Sequence, residues 1–247
     1  MVLNTNATVL EKAMIAKLTK LADNILVSFQ GYDPASEQTM TQGGAFFKRK
    51  LDTIARLRDS KIMLRSGSVI SKILLKNFAK FSNLMDKLKV DSWELYRPMV
   101  KIAALSAHPE LNISQDDIKY LSRKIKSAGA GLPRTIIANP VPFCCDGADK
   151  LFFLGARFDD GHSRMVFDSS GFFKPSYFLN MPLGSKILHA WNHPFVKNIR
   201  SLKYLPPNCL QCHDIQWCLG GSRFWANEYS GSYFSADPWM KENGRLK

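Results

Sequence analysis

The sequence predicts an α/β protein: a partial parallel barrel over residues 1–140, followed by a small cysteine-containing domain over residues 141–247. Three observations carry this. Short apolar runs alternate with amphipathic stretches long enough for right-handed crossovers, the pattern of a parallel sheet with helices outside it. That pattern stops at Pro140. Beyond it come every cysteine, Gly-rich turns and many aromatics, with little helical signal.

Val2-Leu3-Asn4-Thr5-Asn6-Ala7 reads as a strand end running into a loop, after which Leu10, Met14, Ile15, Leu18 and Leu21 recur at helical spacing. Residues 24–29 form a short apolar strand closed by Gly31, and Gln42-Gly43-Gly44 leads into a helix with Phe47, Leu51, Ile54 and Leu57 on one face. Ile62-Met63-Leu64-Arg65 is the next strand, residues 71–88 the next helix, and Trp93-Glu94-Leu95-Tyr96 the fourth strand. Ser114-Gln115-Asp116-Asp117 has the spacing of a capping box, with Asp117 where Glu or Gln is usual, and a helix follows to residue 127. Thr135-Ile136-Ile137-Ala138 is the fifth strand. Four or five such strands cannot close an eight-stranded barrel, so an open or partial barrel is expected. In the second region Phe152-Phe153-Leu154, Met165-Val166-Phe167 and Phe172-Phe173 are strand-like, and a short helix starts near residue 185 with Ile187, Leu188 and Trp191 on one face.

Lys and Arg number 34 against 21 Asp and Glu, a formal charge of +13. Lys48-Arg49-Lys50 is a compact basic run and the remaining charges spread along helices, which reads as a solvated basic face. Without a recognition motif, nucleic acid is not the expected partner. The chain has no apolar run long enough for a membrane span, and residues 1–9 lack the order of a signal peptide, so the expected compartment is the cytoplasm. No glycine-rich phosphate loop occurs.

The cysteines are Cys144, Cys145, Cys209, Cys212 and Cys218. An odd count at uneven spacing argues against a disulfide framework. Cys209 and Cys212 form a CxxC, which lets two thiolates converge on one metal or cluster; Cys218 follows, and Gly220-Gly221 permits a tight turn beside bound sulfur or metal. On spacing alone the metal stays open between zinc and an iron–sulfur cluster. His213 is adjacent to Cys212, an awkward position on the same metal, and Asp214, Glu228 and Asp237 are oxygen donors within reach in sequence. A redox dithiol has no thioredoxin-like βαβ context here.

The segment from Cys209 to Ser222 resembles the CxxC-x5-C-x3-C core of SPASM domains, the auxiliary-cluster domains of radical SAM peptide and protein modifiers, with serine at the fourth position. Cys145-Asp146-Gly147 resembles the family's first cysteine, and Gly171-x4-Ser176 its Gly-x4-Cys step, again with serine. Pro182-Leu183-Gly184, the helix with Trp191, and then Phe195 and Ile199 are similar to the link between the two halves. Upstream, Thr5-Asn6-Ala7 resembles the Thr-Asn-Gly ending the third barrel strand, and Ser28-Phe29-Gln30-Gly31 the Ser-x-Asp-Gly ending the fourth, whose serine lies near the carboxylate of SAM.

The resemblance implies a radical SAM-like partial barrel with a SPASM-like second domain, Asn6 and Ser28 on the cofactor side, and metal ligands at Cys145, Cys209, Cys212 and Cys218. Of the family's two auxiliary [4Fe–4S] clusters, the first would keep only Cys145 and is expected to be absent. The second would keep Cys209, Cys212 and Cys218 and leave one iron open. The chain would begin at the third strand. The Cys-x3-Cys-x2-Cys loop that holds the SAM-cleaving cluster does not occur in the sequence, so SAM cleavage is not expected from this chain alone. The implied partners are a peptide or protein substrate and a second chain supplying the missing strands. The alternative is a non-enzymatic zinc or structural-metal protein that binds protein or RNA. Asp159-Asp160-Gly161-His162 reads as a turn rather than a hard-metal site. Trp191, Trp217, Trp225 and Trp239 could line a groove, but a core role is favoured.

Overall fold

A computed structural model of the chain describes residues 2–60, 62–139, 141–142, 144 and 161–240. It divides into two compact units: Met1–Pro98 with His108–Ala138, and Met99–Ala107 with Asn139–Lys247.

The first unit runs β1 (Val2–Thr5), α1 (Lys12–Leu21), β2 (Asn24–Ser28), α2 (Pro34–Thr41), α3 (Phe47–Arg58), β3 (Met63–Val69), α4 (Lys72–Lys76), α5 (Phe78–Leu88) and β4 (Ser92–Tyr96). After α6 (Ile102–Leu105), which falls in the second unit, it continues with α7 (Gln115–Ala128) and β5 (Arg134–Ile137). The strands pair in parallel in the order β1-β2-β3-β4-β5. With sequential order and right-handed crossovers, the connecting helices all pack on one face. Ile25, Val27, Leu64, Ser66, Ser68, Trp93, Leu95 and Ile137 point to that face and are buried. Phe78 and Phe81 stack on Trp93 with ring centroids 5.7 and 6.3 Å away. The buried indole is satisfied: Trp93 Nε1 donates to Ser68 Oγ at 3.0 Å, and that hydroxyl donates to the Phe29 carbonyl at 2.6 Å. One polar residue, Ser68, therefore serves the core of β3, and hydropathy alone stops that strand too early.

Local capping sets the helix starts. Ser114 and Asp117 form the expected reciprocal box at α7, with Asp117 N donating to Ser114 Oγ at 3.2 Å and Ser114 N to Asp117 Oδ2 at 2.7 Å. Helix α2 is not among the elements expected from sequence, because it carries no apolar stripe. It is started by Asp33, whose Oδ1 accepts from Ser36 N at 2.8 Å, with Pro34 in the first turn. The stretch 71–88 is two helices, broken at Asn77, whose Nδ2 donates to the Ile73 carbonyl at 3.0 Å.

The second unit has β6 (Val166–Phe167) paired antiparallel with β7 (Phe173–Lys174). Short helices follow: α8 (Ile187–Trp191), α9 (Pro194–Ser201), α10 (Pro207–Leu210), α11 (Ile215–Cys218) and α12 (Arg223–Ser230). Leu183, Ala190 and Val196 form a small core with Met165, Phe173, Met181 and Phe195 around it. Ile187 and Leu188 are exposed, so α8 buries Ala190 rather than the larger side chains the spacing suggested. Of the tryptophans considered for a groove, Trp225 is buried and Trp217 is about half exposed. The run Phe152-Phe153-Leu154 and the pair Asp159-Asp160 lie outside the described residues.

Candidate functional site

Two places carry chemistry. The first is the C-terminal edge of the parallel sheet, where open α/β sheets bind ligands. Thr5 pairs with Val27, so Asn6 follows at the level of Ser28, and Ser28 pairs with Gly67. Asn6 Oδ1 accepts from Thr8 N at 3.2 Å and Thr8 Oγ1 at 2.9 Å, closing a turn in which Ala7 takes a left-handed φ of 59°. After Ser28 the chain is clamped from inside. Glu37 Oε2 accepts from Gln30 N at 2.9 Å and Gly31 N at 2.7 Å, while Glu37 Oε1 is paired with Lys50. Lys50 Nζ also donates to the Ser28 carbonyl at 3.1 Å. Gly31 is required, since a Cβ there would meet Glu37 N at 2.1 Å. The Lys48-Arg49-Lys50 run is thus not a uniformly solvated patch, for Lys50 is only 3% exposed.

On the sheet face opposite the crossover helices, polar side chains form a chain of contacts. Arg65 Nη1 donates to Asn24 Oδ1 at 2.8 Å, Arg65 Nε donates to Glu94 Oε1 at 2.6 Å, and Tyr96 OH donates to Glu94 Oε2 at 2.6 Å. Gly67 sits beside them without a side chain; a Cβ would meet Leu26 at 2.8 Å and Tyr96 at 3.2 Å. None of these residues stands out in the sequence. The readable signal is polar residues at alternate positions of β3 and β4, on the face away from the apolar set.

The second place is the cysteine cluster. Cys209 lies on α10, Cys212 on the turn after it, and Cys218 at the end of α11. The next three residues all have left-handed φ: Leu219 at 50°, Gly220 at 80° and Gly221 at 70°. A Cβ on Gly220 would meet Leu205 at 2.5 Å, and one on Gly221 would meet Asp237 at 2.7 Å. Buried Arg223 fixes this turn by donating to the carbonyls of Gly220, Tyr233 and Ser235, the last two at 2.9 and 2.6 Å. Cys144, Cys209, Cys212 and Cys218, all present as thiols, line one cavity of about 80 Å³ together with Asp214 and Met240. Burial pushes the Cys209 thiol up to about 11, and the nearby Cys144, Cys218 and Cys212 push the same way against the opposing charge of Arg223.

Cys145 lies outside the described residues; its neighbour Cys144 lines the cavity with the other three thiols. Adjacent cysteines give sequence reasoning nothing with which to choose between them. The serines at the family's cysteine positions both cap backbone: Ser222 Oγ accepts from Trp225 N at 3.0 Å, and Ser176 Oγ from Phe178 N at 3.2 Å and Leu179 N at 3.3 Å. Asp237 is committed too, accepting from Ser222 N at 2.6 Å and Trp239 N at 2.9 Å. His213, awkward on paper, does reach the same neighbourhood, since one donor atom each of Cys212, His213 and Asp214 lies within 4.8 Å of the others.

The donor set tests the implied cofactor. One zinc ion with sulfur bonds of about 2.3 Å would need its thiolates about 3.8 Å apart. Among the described residues, no three of the cysteine sulfurs lie within 4.8 Å of one another. Four soft thiols around a shared cavity, spaced wider than one ion requires, fit a cluster in which each thiolate binds its own iron.

No protein-family model and no curated protein matches the chain. Solved structures do. Native anSMEcpe with bound AdoMet and Cp18Cys peptide matches with a TM-score of 0.72 at 13% identity, over 96% of this chain and 70% of that one. Streptococcus suis SuiB bound to precursor peptide SuiA matches at 0.67 and 15% identity, over 96% of this chain and 57% of that one. The S. suis SuiB structure bound to S-adenosylmethionine gives 0.64 and 16%, over 95% and 58%. At these identities the likeness is one of fold. The α/β class, the parallel five-strand sheet and the cysteine-bearing C-terminal region expected of a radical SAM-like chain are those observed.

Proposed function

We propose that this chain is a radical SAM/SPASM-like protein related to peptide- or protein-modifying enzymes, that it receives a peptide, and that it does not cleave SAM by itself. The observation that carries the reading is the match of 96% of the chain to a fold solved with both AdoMet and a peptide bound. Asn6 and Ser28 stand together at the sheet edge and would face AdoMet. The rigid amides of Gln30 and Gly31, held by Glu37, keep that edge in shape. Arg65, Glu94 and Tyr96 form a polar network on the face opposite the crossover helices. Cys209, Cys212 and Cys218 would hold an auxiliary iron–sulfur cluster, which when bound supplies a one-electron centre. Reductive cleavage of SAM needs a further cluster on its own three thiolates, and residues 1–143 contain no cysteine. The zinc-module alternative is disfavoured by the sulfur spacing.

The test is anaerobic reconstitution of the chain, titration calorimetry with AdoMet and with a cysteine-containing peptide, and chromatography for 5′-deoxyadenosine after dithionite. Binding of both, weakened for AdoMet by Ser28→Ala, with no 5′-deoxyadenosine, is expected. Turnover to 5′-deoxyadenosine would overturn the claim about cleavage, and failure to bind either probe would overturn the rest.

A further inference from the structure

We propose that Cys144 is the fourth ligand beside Cys209, Cys212 and Cys218, so that this chain closes its auxiliary [4Fe–4S] cluster with four of its own thiolates and leaves no iron open. The inference rests on the iron–sulfur reading of the second unit and adds the ligand set. Three expectations from sequence point elsewhere: a cluster with three cysteines, an open iron, and Cys145 as the isolated remnant of a different cluster.

The groups around the cavity are few enough to compare. Cys144 lines it together with the CxxC pair and Cys218. Among the described residues that line it, the other possible donors are Asp214, Met240 and Asn208, whose carboxamide oxygen is hard and neutral. The Asp214 carboxylate is a hard donor, and its Oδ2 lies 3.2 Å from His213 Nε2. The Met240 thioether is uncharged and a weak donor. Ser222, the family's alternative, is buried as the cap of α12 and has its oxygen committed to Trp225 N. Cys144 is thus the soft group that becomes an anion, and binding costs it only a proton. That proton goes to solvent, as it does for the other three thiols, and no electron moves.

Cys144 shares one cavity with Cys209, Cys212 and Cys218. Four thiols packed this way repel one another once ionised and are poorly placed without a cation, whereas a cationic cluster turns the same arrangement into attraction. The width of the set disfavours a single ion held by these sulfurs. With no three sulfurs of the described cysteines within 4.8 Å, a single ion would have to pull them inward, whereas a four-iron cluster takes one thiolate at each corner.

The experiment is anaerobic loading of the full chain with iron and sulfide, followed by iron, sulfide and zinc counts, Mössbauer spectra, and low-temperature electron paramagnetic resonance of the reduced protein. Variants are Cys144→Ala, Cys144→Ser, Cys145→Ala, Met240→Leu and Cys212→Ala, with circular dichroism to check folding. Wild type, Cys145→Ala and Met240→Leu are expected to hold about four irons and four sulfides with one common spectrum. Cys144→Ala is expected to lose most of its iron or to give a three-iron signal, as Cys212→Ala should lose its cluster. Cys144→Ser, which keeps size and fold if alanine does not, is expected to hold iron with shifted resonance. Full iron and an unchanged spectrum in both Cys144 variants would remove Cys144 from the ligand set while leaving the cluster in place. A wild-type chain that takes zinc or no metal would instead sink the iron–sulfur reading beneath it.

Discussion

Replacing Lys50 by methionine keeps the side chain's length and removes its charge. In the native chain the ammonium pairs with Glu37 Oε1, and the two side chains are 4% and 0% exposed. The variant leaves a carboxylate buried without its cation, which typically costs about 3–5 kcal/mol. Two amide donors, from Gln30 and Gly31, remain on Oε2. They keep part of the charge satisfied, so the lower end, about 3 kcal/mol, is expected. With a urea slope of about 2 kcal/mol/M, the midpoint falls by about 1.5 M. Adding Glu37→Gln to Lys50→Met removes the orphaned charge while keeping an acceptor for the amides, and should return about 1–2 kcal/mol. Glu37→Leu should not rescue, because it strands both amides. Urea unfolding of wild type, the single variant and the two double variants, with hydrogen exchange at Gln30 and Gly31 as the local probe, measures this. The reasoning is refuted by a Lys50→Met chain within about 1 kcal/mol of wild type, or by a double variant carrying Glu37→Gln that is less stable than Lys50→Met alone.

Other outcomes follow from the second unit and from α2. Gly221→Ala places a Cβ 2.7 Å from Asp237 at a φ of 70°, and should destabilise the second unit by about 1–3 kcal/mol in thermal melts. Ser222→Cys restores the family's residue but weakens the cap on Trp225 N; it should cost about 1 kcal/mol and add no iron to the loaded chain. The hydroxyl and amide of Ser36 hold the Asp33 carboxyl below the usual range, assisted by Lys80. Its contribution to folding is therefore present above the ordinary carboxylate value of about 3.9 and is lost as pH falls through the depressed one. Ser36→Ala should move the Asp33 titration upward in carbon-detected NMR; an unmoved curve would mean that the capping box does not set it.

Most of the first unit is legible because alternation of strand and helix is a periodicity, and all five strands fall near the positions the apolar runs mark. What escapes is whatever depends on a partner. Helix α2 has no apolar stripe, and its only cue is Asp33-Pro34 at a helix start. Strand β3 continues through Gly67 and Ser68 because a hydroxyl bridge from Ser68 to Trp93 and the missing Cβ of Gly67 suit those two residues to buried positions. Lys50 reads as surface charge because Glu37 lies thirteen residues away and is hidden by the fold. In the site, CxxC spacing singles out Cys209 and Cys212, and Cys218 joins them at one cavity. That Cys144 lines the same cavity is not readable from spacing, because more than sixty residues separate it from the CxxC.

Ser176 and Ser222 have a consequence for how the second unit comes to exist. Each of these turns is closed locally by its own hydroxyl, which accepts from amides two or three residues on. Those two caps need no delivery of iron or sulfide, and dioxygen has nothing to attack there. In the proposed cluster-bearing protein, iron starvation or a burst of oxidant would strike at the four-thiol cavity and not at these two caps. The turns around it would keep their form, and an emptied receptacle could be refilled without refolding.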